Sequence, residues 1–446
     1  MAHRILIFIC CSLVALGLQA QNRKKTTTKK QTATTTAKQT TGNETAGPAE
    51  EASVSDDAKL LFDSYHFEEA GEKLEEEITK AQKKKLGTSV LEYLSEKAMI
   101  GENMLQATEK VVFIDSVVVD KENFLNAYRL HPSCGTLTTY GKVFPGDTKA
   151  SSSLKSTTVY INEFQDNILY SYPDKDGNNK LTSRNKLGEK WSTPVQLEEL
   201  ADSGDCQGYP YLLSDGTTLY YASEGTGSLG GYDIYVTRYN TDTKKYLKPE
   251  NIGMPFNSPA NDYLYAIDEV NNLGWFVSDR YQPEGKVCVY IFIPTESRDS
   301  YTIDESNEEK VRNLARITSI KASQTDSKAV AEATQRLKES MQTPKNNNVK
   351  DTDYRFIVAN GVVYHDISNF KSAKAKQMAT ELDKVTKQRT KLLANLAENR
   401  RKYGNSATDL KATILKQEQN VEQLNVAIST MENNVRKEEQ ASLKIK

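Results

Sequence analysis

The chain has 446 residues, of which 26% are charged and 37% hydrophobic, and a net charge of −2. That length accommodates two or three domains, and the polar balance leaves part of the chain as linker or highly exposed helix. The near-neutral charge gives no whole-chain reason to expect nucleic acid or acidic lipid as a partner.

Residues 1–20 have the pattern of a secretory signal. His3 and Arg4 precede an apolar run over 5–18, and Leu18-Gln19-Ala20 puts a small residue before a cut that leaves Gln21 first. The run is short for a membrane span, and Cys10 and Cys11 lie too early for a lipoprotein site. No other segment is apolar enough to span a bilayer, so no transmembrane segment is expected. Cys134, Cys206 and Cys288 remain, an odd number. Buried or free thiols are expected of them, with one disulfide as the alternative. They form no C-x-x-C or Cys/His cluster that would suggest zinc.

Residues 21–56 are Thr/Lys-rich with few apolar side chains, the composition of a disordered linker. Order is expected from 57. Over 57–110, Ala58, Leu61, Phe62, Tyr65, Phe67, Ala70 and Leu74 take the positions of an antiparallel helix pair. A third helix over 89–107 has Leu91, Leu94, Ala98, Met99 and Leu105 as its apolar face. The pattern A-x-x-L-F…F-x-E-A-x-x-x-L resembles one tetratricopeptide repeat. A lone repeat lacks the neighbours that build a peptide groove, so the resemblance implies a helical cap on the next domain.

Residues 111–119 (VVFIDSVVV) switch to the composition of a strand, and a short helix follows over 121–130. Short strands then alternate with turns. A hairpin over 158–164 and 167–172 crosses at Gln165-Asp166, and a strand over 180–185 follows the Asp176-Gly177 turn. The scheme recurs over 209–239, and again at 263–268, 273–278 and 287–293. Leu213-Ser214-Asp215-Gly216, Leu219-Tyr220-Tyr221-Ala222-Ser223 and Gly230-Gly231-Tyr232-Asp233-Ile234-Tyr235 resemble a blade of the TolB-type, WD-repeat-like β-propeller. The linker over 249–262 resembles the connector of this family in Bacteroidetes-type envelope proteins. Leu213 stands where that family has proline; Asp215-Gly216 still supplies the tight turn.

The β-domain is expected over 111–297. About three blades fit within 136–296, fewer than a closed ring needs. An added strand is therefore expected to complete the domain: 111–119, or the hairpin over 354–367 with its Asn360-Gly361 turn, or both. An open partial propeller is the alternative. Residues 298–353 read as helices over 307–319 and 329–341, then a polar loop over 343–353.

Over 372–446 the apolar period is 3.5. Met378, Leu382, Val385, Leu392 and Leu396 form one run; Leu410, Ile414, Val421, Leu424, Ile428, Met431 and Val435 form the next. Arg389, Asn399, Tyr403 and Gln417 interrupt the seam, and Gly404-Asn405-Ser406 divides the runs. An antiparallel helical hairpin is expected, with a long dimeric coiled coil, self-associating through 372–446, as the alternative. The fold class expected is multidomain α+β: tetratricopeptide-like helices, a partial or small propeller of antiparallel blades, and a C-terminal coiled-coil hairpin.

Candidate chemistry is sparse. His66, His131 and His365 fall in different elements. Asp174-Lys175-Asp176-Gly177-Asn178 offers oxygen ligands without the spacing of a calcium loop, so a hairpin tip is expected there. Asp205, Asp215, Asp233, Asp262 and Asp279 lie near turns, where such residues cap backbone amides; the other reading is an acid/base pair at a propeller mouth. Tyr209, Tyr211, Tyr232 and Trp275 are the candidate binding surface, with packing between blades as the competing reading. No catalytic, cofactor-binding or metal-binding residue is assigned. The resemblance implies an exported, non-enzymatic protein of the periplasm or outer membrane. It would bind other envelope proteins through its propeller-like platform and coiled coil, in a secretion or assembly complex. The alternative is a glycan- or peptide-acting hydrolase. Envelope proteins of this type often carry an OmpA-like peptidoglycan-binding domain where the coiled coil stands here.

Overall fold

A computed structural model describes residues 50–446 except 188–189, 201–205, 241, 296–297, 343–353, 360, 405–409 and 445–446. The signal, most of the linker, Cys10, Cys11, His3, Asp205, Asn360, the 343–353 loop and the Asn405-Ser406 break lie outside the described residues.

Three helices come first: α1 (Asp56–Asp63), α2 (Phe67–Lys83) and α3 (Ser89–Gln106). The Ser55 hydroxyl accepts from the Ala58 amide at the start of α1. Glu68 and Glu69 open α2 while Lys80 and Lys83 close it, matching the helix dipole. Ala58, Phe62, Phe67, Ala70, Leu74, Leu91, Ala98 and Leu105 are buried. The apolar spacing picks out these positions, but it also places Met99 on the apolar face of α3. Met99 is 65% exposed, because it lies beside Ala98 on the turn that faces away from α2 and the sheets.

β1 (Val112–Asp120) leads to a 3-10 turn over Lys121–Ala127 and then to β2 (Thr136–Thr139), α4 (Tyr140–Val143) and α5 (Ser152–Ser156). Sheet I continues with β3 (Thr158–Ile161), β4 (Asn167–Pro173), β5 (Asn179–Leu187), β6 (Lys190–Trp191) and β7 (Val195–Gln196). Sheet II has β8 (Gln207–Leu212), β9 (Thr218–Ser223), β10 (Asp233–Asn240), β11 (Lys245–Tyr246) and β12 (Glu250–Asn251). Sheet III has β13 (Asp262–Asp268), β14 (Leu273–Ser278) and β15 (Lys286–Ile293). Then come α6 (Glu308–Arg316), α7 (Ser327–Gln342), β16 (Phe356–Ala359), β17 (Val362–Tyr364), α8 (Ala373–Gly404) and α9 (Lys411–Leu443).

All the sheets are antiparallel, and none closes into a barrel or propeller. They stack face to face, β8 against β3, β4 and β5, and β13 against β8, β9 and β10. β1 completes sheet III as its outer strand, pairing with β15 in the register Val117↔Val289 and Val119↔Val287. Of the two segments expected to complete the β-domain, only this one joins a sheet. The β16–β17 hairpin pairs with itself alone, because its apolar side chains are taken by the C-terminal helices. Phe356, Val358 and Tyr364 pack with Phe370, Ala375, Leu382, Ile428 and Val435.

Helices cover the outer faces of the stack. Ala333 and Leu337 of α7, with Phe124 and Tyr128, pack in the same core as Trp275, Val289 and Ile291 of sheet III. On sheet I, Tyr140 of α4 packs with Val159, Ile168 and Tyr170. The sheet faces are thus closed by helix where a ring would have placed further sheets.

The modules at either side of the chain sit on opposite ends of the strands. The β9–β10 turn meets the N-terminal helices, where Leu229 and Met254 pack with Phe62, Tyr65 and Phe67 and Lys97 Nζ donates to the Ser228 carbonyl. The β3–β4, β8–β9 and β13–β14 turns meet the C-terminal module. Arg389 pairs with Asp166, Gly216 lies against Ser429, and the Gly361 amide donates to the Glu269 carbonyl at 3.1 Å.

α8 and α9 form an antiparallel hairpin, the arrangement expected first. Lys374 pairs with Glu438 at 2.8 Å and Arg400 with Glu418 at 2.6 Å. Two of the polar interruptions satisfy each other: Asn399 Nδ2 donates to Gln417 Oε1 at 3.0 Å. At the base, Glu439 is fully buried and accepts from the Tyr364 hydroxyl and the Lys371 and Ser372 amides.

Candidate functional site

The four aromatics expected to form a binding surface divide into two pairs. Tyr211 and Trp275 are 0% exposed and belong to the core. Tyr211 packs edge-on against Tyr160 and hydrogen-bonds the Ile267 carbonyl; Trp275 lies 6.2 Å from Tyr128. The alternation of β8 and β14 turns these rings inward, where packing between sheets governs. They are withdrawn as surface residues.

Tyr209 and Tyr232 are half-buried and meet, ring centroids 5.9 Å apart. Tyr263, Phe124 and Lys121 complete the cluster and were missed in the sequence. Tyr263 lies 5.3 Å from Tyr209, and Phe124 6.1 Å from it. Lys121 Nζ donates to the Tyr263 hydroxyl at 2.7 Å and lies 4.4 Å from its ring centroid. Tyr209 sits at the bulge of β8 with a φ of 53°, a conformation costly for a tyrosine. Burial, then the Asp279 charge, pushes its hydroxyl up to about 12. Tyr263 was legible in the repeat: Tyr209-Pro210-Tyr211 and Tyr263-Leu264-Tyr265 hold the same places in successive sheets.

The turn carboxylates among the described residues are engaged. Asp215 accepts from the Thr217 and Thr218 amides, both at 2.7 Å. Asp233 accepts from Leu229, Gly230 and Asn251; burial, then the Asp262 charge, pushes it up to about 7. Asp262 pairs with Arg280 at 2.8 Å in the interior, and Arg280 also donates to the Pro255 carbonyl. Asp279 holds the Asn261 amide and the Tyr263 hydroxyl. At the β4–β5 tip, Asp174 accepts from the Asp176 and Asn178 amides, and Gly177 has a φ of 88°. Among the described residues no group of His, Cys, Asp or Glu has the arrangement of a metal site.

His66 bonds Glu69 on the helical cap. His131 meets Arg355, whose Nη1 lies 2.7 Å from its Nε2. Burial, then the Arg355 and His365 charges, lowers it to about 4, and Nδ1 accepts from the Ser133 amide at 3.1 Å. Cys134, Cys206 and Cys288 are free thiols, the outcome expected first, with Cys134 and Cys288 buried.

A recess separates α8–α9 from the turn ends of sheets I and II. It measures about 930 Å³ and is lined by Glu163, Phe164, Leu213, Val426 and Glu432 among others. Arg389, an apparent fault in the apolar seam, forms its floor: it pairs with Asp166, bonds Asn425 and lies 4.8 Å from the Phe164 ring centroid. Burial, then the Glu432, Asp166 and Glu269 charges, pushes the Glu163 carboxyl up to about 8. Burial also raises Glu432, with Arg436 and Arg389 opposing.

The chain matches no protein-family model, no curated protein and no solved structure with which it was compared. Its site must therefore be read from its own chemistry. The aromatic cluster packs largely into the core, whereas the recess presents apolar surface with a few fixed polar groups, which is the composition of a recognition site. No helix among the described residues is long and apolar enough to cross a membrane.

Proposed function

We propose that this protein is an exported, non-enzymatic scaffold of the cell envelope, acting through protein–protein contacts in an outer-membrane secretion or assembly complex. The observation that carries the reading is the placement of two helical modules on opposite ends of one three-sheet body. The N-terminal helices pack on the β9–β10 turn and the C-terminal hairpin on the β3–β4, β8–β9 and β13–β14 turns. Such an arrangement presents two separate surfaces at a fixed spacing, which suits recognition rather than turnover.

The TolB-type resemblance of 213–235 and the tetratricopeptide-like pattern of 58–74 support the envelope setting, as does the signal-like segment over 1–20. Crosslinking in intact cells, followed by identification of the attached proteins, tests the proposal. Envelope proteins are expected among the adducts. Recovery of nothing but the protein itself would contradict it.

A further inference from the structure

We propose that the recess beneath the C-terminal hairpin docks an amphipathic segment of a partner protein, its apolar side chains on the walls and a Lys or Arg between Glu163 and Glu432. This assignment rests on the scaffold reading and adds the chemistry of the partner.

Two observations carry it. The first is apolar exposure gathered in one place. Phe164, Val195, Leu415 and Val426 are 43–57% exposed, and all four line this recess. Phe164 and Val195 come from sheet I; Leu415 and Val426 come from α9. Large apolar side chains left open on facing walls mark a surface that a ligand covers, and about 930 Å³ holds several side chains.

The second is charge. Two of the three cations that line the recess have acidic partners within the chain: Arg389 holds Asp166 as well as Asn425, and Arg400 holds Glu418 at 2.6 Å, while the Lys186 ammonium lies 5.9 Å from the Trp191 ring centroid. Glu163 and Glu432 line the same recess, and neither forms an ion pair with a described residue. Burial pushes both carboxyls up; repulsion from Glu432, Asp166 and Glu269 adds to this at Glu163, while the Arg436 and Arg389 charges oppose it at Glu432. An incoming ammonium or guanidinium offsets that repulsion, whereas an acidic segment aggravates it. The recess thus selects by sign as well as by apolar surface.

Binding of a fluorescent synthetic Leu/Lys amphipathic peptide to the full chain, read by anisotropy beside a Leu/Glu peptide, tests this. The Leu/Lys peptide is expected to bind and the Leu/Glu peptide to fail. Glu163→Gln with Glu432→Gln, and separately Val426→Asp, are each expected to weaken binding roughly tenfold or more. Leu60→Asp, on the exposed face of α1, should leave it unchanged. Thermal melts verify that each variant is folded; Val426 is exposed, so its variant keeps the test open if the paired glutamates do not tolerate change. Equal binding of both peptides, or binding indifferent to both sets of variants, would overturn the assignment. So would a dimer lost on Val426→Asp, since the occupant would then be a second copy. If envelope proteins crosslink to wild type and to Val426→Asp alike, the docking site falls while the scaffold reading stands. If none crosslinks yet the peptide binds as expected, the scaffold reading falls instead.

Discussion

Arg389 of α8 reaches the carboxylate of Asp166, 223 residues earlier in the chain. This pair ties the middle of the C-terminal hairpin to the β3–β4 turn of sheet I. Arg389 is itself buried, so its removal takes the charge-assisted bond from Asp166, which keeps only Asn162 Nδ2 as a side-chain donor, and a donor from Asn425. Arg389→Ala is expected to loosen the hairpin by about 1–3 kcal/mol. Hydrogen exchange should rise in α8 and α9 and at residues 162–167, with little change in sheet III.

The hairpin should also respond to pH through Glu163. Burial raises its folded-state value from 4.5 to about 8, so the folded form holds a proton that the unfolded form has lost. Its contribution is full below about 4.5 and disappears as pH rises to about 8. The groups acting on it are Glu432, Asp166 and Glu269, while Arg389 lines the same recess. His131 acts in the opposite sense, since its folded value is lowered to about 4 and its contribution fades as pH falls below about 6.5. The comparison is therefore between wild type and Glu163→Gln. The protection factors of α9, corrected for the base-catalysed intrinsic exchange rate, should fall from pH 5 to pH 8 in wild type, and the fall should shrink in the variant.

Trp275 and Tyr232 were grouped in the sequence and are separated by burial. Trp275→Ala is expected to cost about 3–5 kcal/mol by leaving a cavity, measured by urea unfolding. Tyr232→Ala removes a half-buried ring and should cost about 1 kcal/mol.

The three cysteines among the described residues should differ in reactivity. Cys206 is partly exposed, while Cys134 and Cys288 are buried. Burial raises both of the buried thiols, Cys134 the more strongly. Labelling with a thiol reagent in native buffer, mapped by mass spectrometry, should mark Cys206 first and the other two only in denaturant.

Periodicity made the elements legible. Ala58, Phe62, Ala70 and Leu74 marked the helix pair, the Asp215-Gly216 turn marked a hairpin, and the 3.5 repeat marked α8 and α9. β1 was legible as a strand because of its β-branched run, but which of two segments would complete the body was not, since pairing across 170 residues leaves no local mark. The β16–β17 hairpin had the same strand signal, and its partner turned out to be helix. The binding surface was the least legible part. Tyr211 and Tyr209 have the same chemistry two residues apart, and the bulge between Gly208 and Tyr211 separates them. Arg389 looked like a fault in the seam and is a tether. Glu163 carried no signal at all, because its environment is made by α9 more than 250 residues later.

The central claim is that two surfaces, one at each end of the three-sheet body, hold different partners. Photo-crosslinking amino acids placed at Met99, exposed on α3, and at Val426, exposed on α9, test it in intact cells. The account predicts adducts at both positions, to envelope proteins that differ between the two. No adducts, or adducts only with the protein itself from both positions, would contradict it.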